Sequence, residues 1–128
     1  MRIRFLKTVT FVAVLLVSIA CFSIPANKTP ITIKQPNGKT LTFVLQGDEF
    51  VHWAKTLDGY SILPNKNGNY VYAIINDEND LVPSTVLAAN SEERSRDDEN
   101  FLLTIRKDLR YSPKQVSIFK ECFAQTTN

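Results

Sequence analysis

The chain of 128 residues is short of the side chains that usually carry chemistry, with one histidine, one tryptophan, one methionine and two cysteines. A hydrolytic zinc site usually draws three protein ligands, often two or three of them histidine. His52 alone leaves such a site incomplete, and a His-Glu-x-x-His pattern is absent. No serine stands in a Gly-x-Ser-x-Gly elbow, although a Ser-His-Asp triad is assembled in space and sequence alone leaves it open. Glu49 and His52 stand three apart, a spacing that shares a face on a helix but not on a strand. The segment reads as a strand, so His52 is taken as structural or hydrogen-bonded. The sequence therefore predicts no catalytic residue, no bound cofactor and no metal ligand acting within this chain.

Long apolar runs are also lacking, except at the start. Arg2, Arg4 and Lys7 precede an apolar stretch from Val9 to Ala20, and Ser23 to Pro30 is small and turn-forming. A basic segment, a short apolar core and a small-residue exit predict a signal peptide over 1–23 and an exported chain, periplasmic or extracellular. The apolar stretch is shorter than the roughly 20 residues that cross a bilayer. The alternative is a lipoprotein anchored through Cys21, although Ser18 stands where a lipobox carries Leu, Val or Ile.

Charge excludes further classes. Of fifteen basic residues, three lie in 1–23, leaving twelve against thirteen acids, or −1 for residues 24–128. Removing the leader removes the basic excess, and with it the case for nucleic-acid binding or, lipidation at Cys21 aside, for membrane contact. Cys122 would then be the single mature cysteine, without an internal disulfide partner.

What remains reads as one β-rich domain. Ile31 to Lys34 and Thr40 to Gln46 alternate apolar and polar around the Pro36-Asn37-Gly38 turn. Glu49 to Thr56, Tyr60 to Leu63 and Tyr70 to Asn76 follow, separated by Leu57-Asp58-Gly59 and Pro64 to Asn69. Asp77 to Asp80 turns the chain again before Leu81. Such spacing predicts an α+β fold, an antiparallel meander of about five strands followed by two helices. Glu92 to Arg110 reads as the first helix, capped by Asn90 or Ser91, with Phe101, Ile105 and Leu109 as one stripe on the sheet. Ser112-Pro113 opens a second, with Val116, Phe119 and Phe123 inward. The domain is placed at 24–118, and 119–128 is an unassigned tail.

Few features point to ligands. Asp77-Glu-Asn-Asp80 is half a calcium loop without its Gly and distal Glu, and reads as a solvated turn. Asn27-Lys-Thr29 matches a glycosylation acceptor. Trp53, Tyr60, Tyr70 and Tyr72 are candidates for an aromatic face that binds peptide or glycan, against the alternative of cross-strand packing.

One resemblance spans about 90 residues. It is carried by Ile24-Pro25-Ala26, Gln35-Pro-Asn-Gly38, Leu45-Gln-Gly-Asp-Glu-Phe50, His52-Trp53 and Thr56-Leu-Asp-Gly-Tyr60. It continues through Gly68-Asn-Tyr70, Tyr72-Ala73, Leu81-Val-Pro-Ser84, Glu93-Arg94, Leu109-Arg110 and Ser112-Pro113. In order and spacing these resemble the amino-terminal pro-region of secreted bacterial zinc metalloproteases of the immune inhibitor A-like family, peptidase family M six. The 128 residues carry no His-Glu-x-x-His of the catalytic domain that follows in that family, as expected of a truncated product, a fragment of a longer chain or a stand-alone descendant. The resemblance implies a truncated or stand-alone pro-region that maintains latency or assists folding of a secreted zinc metalloprotease domain, in cis or in trans, with zinc only in that partner. A carboxylate or thiolate from this chain could fill the fourth zinc position there, and Asp48 and Cys122 are the candidates.

Overall fold

The computed structural model describes residues 29–48 and 50–126. The expected signal peptide over 1–23 with Cys21, the Ile24-Pro-Ala26 stretch, the expected acceptor Asn27 and Glu49 lie outside the described residues. Six strands form one antiparallel sheet in sequence order: β1 (Ile31–Lys34), β2 (Thr40–Gly47), β3 (His52–Thr56), β4 (Ser61–Pro64), β5 (Tyr70–Ile75) and β6 (Leu81–Leu87). Two α-helices follow, α1 (Arg96–Leu102) and α2 (Pro113–Thr126). The class is α+β and the sheet a meander, with one strand more than about five.

Four of the five hairpins use one turn design. At Gln35, Thr56, Asn65 and Asn76 the backbone N–H donates to the carbonyl four residues on, and the carbonyl accepts from the N–H three residues on. The residue at that third place has positive φ, and it is Gly38, Gly59, Gly68 or Asn79. A three-residue loop closed by a left-handed residue suits the twist of antiparallel strands. The side chains of Asn65 and Asn76 reinforce their own turns, each Oδ1 accepting two backbone N–H groups. The β2–β3 turn differs. There Gly47 takes φ 99° and the Asp48 N–H donates to the Val51 carbonyl at 2.9 Å.

The sheet curls. Gln35, 3 % exposed, accepts the Tyr70 N–H at 2.7 Å and donates to the Ala88 carbonyl at 3.4 Å. The Asn37 N–H donates to Asn69 Oδ1 at 3.1 Å, and the Thr42 N–H to Asn90 Oδ1 at 2.9 Å. These bonds tie the first hairpin to β5 and to the segment after β6, so the concave face closes on itself. Leu41, Phe43, Ala54, Ile62 and Tyr72 fill that face and Leu102 covers it. Leu63, Ala73 and Leu81 lie on the convex face under Leu109. Alternation along each strand divides the apolar residues between the two faces.

The expected helix over Glu92 to Arg110 is corrected. Ser91–Glu93 is a 3-10 turn, Arg94 is extended, and α1 begins only after Ser95. Ser95 caps α1 reciprocally with Asp98, a capping box that outcompetes the upstream residues. Asn90 gives no cap, because its side chain is bonded to β2. Beyond Leu102, Asp108 turns left-handed at φ 57° and its N–H donates to the Gly59 carbonyl at 2.9 Å. The chain thus crosses from one face to the other beside the β3–β4 turn. Phe101 and Ile105 pack on the concave core and Leu109 on the convex one, so the three are not one stripe.

Helix α2 starts as expected at Pro113, with the Ser112 hydroxyl accepting the Gln115 N–H at 3.1 Å. It continues to Thr126, so the boundary drawn at residue 118 falls inside it. Gln115 pins it to the sheet, accepting the Leu81 N–H and donating to the Leu81 carbonyl, each at 2.9 Å. Val116 and Phe119 are half-buried, whereas Phe123 is 45 % exposed.

Candidate functional site

The β2–β3 turn and the edge of the sheet beside it form the candidate site. Among the described residues, strand β1 has β2 as its one neighbour in the sheet, so no described strand pairs with its outer edge. The opposite edge, β6, is blunted by Pro83 and by a bulge against β5. A groove of about 540 Å³ runs at the β1 side, lined by Thr29, Ile31, Leu45, Gly47, Asp48 and His52, with Gln46 between them. Ile31 and Leu45 are 37 % and 46 % exposed, apolar side chains left uncovered at the end of the concave face.

Asp48 stands at the groove in a fixed orientation. Its Oδ1 accepts the backbone N–H groups of Phe50 and Val51 at 2.9 and 3.0 Å. Those two bonds, with the Lys120 charge a lesser cause, hold the carboxyl below its ordinary range. The other oxygen, Oδ2, makes no hydrogen bond among the described residues. A carboxylate anchored through one oxygen and presented through the other has the form of a ligand awaiting a cation or a donor. His52 is exposed at the same groove.

Cys122 is exposed on α2 with a free thiol. The Phe50 and Phe123 rings meet edge to face at 5.1 Å, which brings the last turns of α2 to the β2–β3 turn. Asp48 and Cys122 therefore belong to the same end of the molecule. No group of three His, Cys, Asp or Glu side chains that could hold a metal is present among the described residues. The Asp77–Asp80 turn commits two of its carboxylates, Glu78 and Asp80, to the start of α2. Asp80 accepts from Ser112 at 2.6 Å and pairs with Lys114 at 3.0 Å, and Glu78 pairs with the same lysine at 3.4 Å.

The four candidate aromatics are not brought to one surface. Tyr60, Tyr70 and Tyr72 pack with the concave core, and Tyr72 is fully buried. Trp53 packs with the convex core and meets Tyr111 edge to face at 5.8 Å. Their rings are separated by the sheet itself.

Sequence reasoning assigned no role to the Asp58–Arg94 pair, which organises the other side of the molecule. Asp58 lies in the β3–β4 turn and receives both terminal nitrogens of Arg94, at 2.6 and 2.9 Å. Arg94 Nε donates to the Tyr72 hydroxyl at 3.0 Å and to the Ala89 carbonyl at 3.2 Å. The Arg94 side chain is 4 % exposed and its guanidinium sits 5.5 Å from the Tyr60 ring centroid. The bidentate pairing lowers the Asp58 carboxyl to about 2 and raises Arg94. Burial pushes the Tyr72 hydroxyl up. A cleft of about 260 Å³ opens beside the pair, lined in part by Leu57, Asn90 and Ser91. With every Arg94 nitrogen engaged, the group works as a clasp between turn, strand and helix entry. Its only sequence signal was indirect, in that Thr56 to Tyr60 and Glu93-Arg94 both belong to the family resemblance.

Among the described residues no helix is long and apolar enough to cross a membrane. No family model matches the chain, and neither a curated protein nor a solved structure matches it.

Proposed function

We propose that the chain is a non-catalytic, exported pro-region-like module that holds a secreted zinc metalloprotease domain latent or assists its folding. One observation carries this reading: the β1 edge, unpaired among the described residues, and the anchored carboxylate of Asp48 line the same groove. An exposed edge can pair with the protease strand that otherwise holds substrate. From the same groove, the free oxygen of Asp48 would reach the open position of the partner's zinc and displace the water that performs hydrolysis.

The placement of the resemblance motifs supports the reading as well. Gln35 bridges the first hairpin to β5, Asp48 anchors the β2–β3 turn, Asp58 and Arg94 form the clasp, and Ser112 caps α2. Residues that carry the proposed resemblance are thus among those that hold this fold together.

Adding the purified chain to an active metalloprotease of the immune inhibitor A-like family tests the proposal. Hydrolysis of a fluorogenic peptide is expected to fall in proportion to added chain, and Asp48→Asn to relieve the inhibition at least tenfold. Undiminished hydrolysis, together with no gain in refolding yield of the denatured protease, would reject it.

A further inference from the structure

The strap that crosses between the faces also carries an unassigned site. Arg106, Lys107 and Arg110 line a groove of about 360 Å³ together with Asn79 and the more buried Ile75 and Leu109. Leu109 is 8 % exposed and Ile75 half-buried, so the floor is fixed by the convex core. The one acid of the groove, Asp108, is neutralised by Lys55 at 2.7 Å. The Lys107 ammonium rests 5.2 Å from the Tyr60 ring centroid. Arg106 and Arg110 form no ion pair or hydrogen bond among the described residues. Two exposed guanidinium groups without a hydrogen bond therefore stand beside an apolar floor, Arg110 close enough for its charge to act on Asp108.

From this geometry we propose that the groove binds an extended acidic peptide segment of a partner protein. An apolar side chain of the segment rests on Ile75 and Leu109, and carboxylates before and after it pair with Arg106 and Arg110. The guanidinium fork matches a carboxylate with two parallel hydrogen bonds. Residues 24–128 sum to −1, so the chain lacks the broad positive field that gathers a polyanion. A free phosphate or sulfate would leave the apolar floor unused. The site is independent of the pro-region role, since it lies on the strap rather than at the β1 edge.

Fluorescence anisotropy with the full chain and a labelled peptide, one leucine between pairs of glutamates, provides the test. Saturable binding is expected at about 50 mM salt, weakened about tenfold near 300 mM. Arg106→Gln with Arg110→Gln is expected to weaken it about tenfold while leaving the circular dichroism unchanged, because both side chains are exposed. Replacing the peptide leucine by glycine should cost several-fold more. The proposal is overturned if binding does not saturate, if the double variant or the leucine-free peptide binds equally well, or if inorganic phosphate or an oligonucleotide competes as strongly as unlabelled peptide.

Discussion

Arg94 shows how a single side chain can fix several elements at once. Its guanidinium joins Asp58 in the β3–β4 turn to Tyr72 in β5 and to the Ala89 carbonyl after β6. Arg94→Ala would leave the Asp58 carboxylate with the Thr56 hydroxyl, which donates to Oδ1 at 2.7 Å, and with water at a side chain 37 % exposed. The expected loss is about 2–3 kcal/mol in urea unfolding, toward the low end for a buried pair. Arg94→Lys, which keeps the charge but not the fork, should lose about half of that. The same contact gives a pH dependence. Asp58 binds protons less readily folded than unfolded, because its carboxyl is lowered from 3.8 to about 2. Its contribution is complete above about pH 4 and disappears as pH falls through about 2. After discounting for solvent screening it amounts to about 1 kcal/mol. Asp58→Asn should therefore be less stable than the parent at pH 6, and the two unfolding curves should converge near pH 2. Beyond the place of both residues in the expected resemblance, nothing in the sequence marked this clasp. Asp58 reads as an ordinary turn residue and Arg94 as one charge in a charged run, and their meeting depends on the fold.

At the scale of elements, the turns were the most legible feature. Asn-Gly, Asp-Gly and Asn-rich stretches tolerate the left-handed conformation, and the structure uses it at Gly38, Gly59, Gly68 and Asn79. Strand positions followed from period-two alternation, although β3 begins at His52 because Asp48 to Val51 is spent on its own turn. Gly47 is the least replaceable of the glycines. A Cβ there would collide with the Val51 carbonyl oxygen at φ 99°, whereas one at Gly38 meets nothing within 4 Å. Gly47→Ala should cost about 2 kcal/mol or more, and Gly38→Ala about 1 kcal/mol from backbone strain alone. Thermal denaturation of both variants checks the order. Helix limits were legible at Ser112-Pro113, where cap and first-turn proline coincide. They were not legible between Glu92 and Arg110. An apolar stripe at helical spacing was present there, but a capping box at Ser95 and a crossing to the other face divided it. Ser112→Ala should raise amide exchange through the first turns of α2 by about fivefold, corresponding to about 1 kcal/mol, with the sheet amides unchanged.

At the scale of the molecule, the α+β class and the meander order followed from turn spacing and from the shift to charged, Gly-free sequence after Asn90. The curl of the sheet did not, because it depends on Gln35 and Asn90 reaching across to β5 and β2. That curl buries Tyr72 and places Trp53 on the other face, so aromatic residues that share a sequence pattern share no surface. The candidate site was legible only in part. Asp48 could be picked out as a turn carboxylate, but its neighbourhood with β1 and with His52 is a property of the folded sheet. The central claim is that this groove engages a zinc metalloprotease domain. Isothermal titration of such a domain with the chain, in the presence and absence of a saturating active-site peptide inhibitor, tests it most directly. The account predicts one-to-one binding that the inhibitor abolishes and that Asp48→Asn weakens. Binding that survives the inhibitor unchanged, or no binding at all, would contradict it.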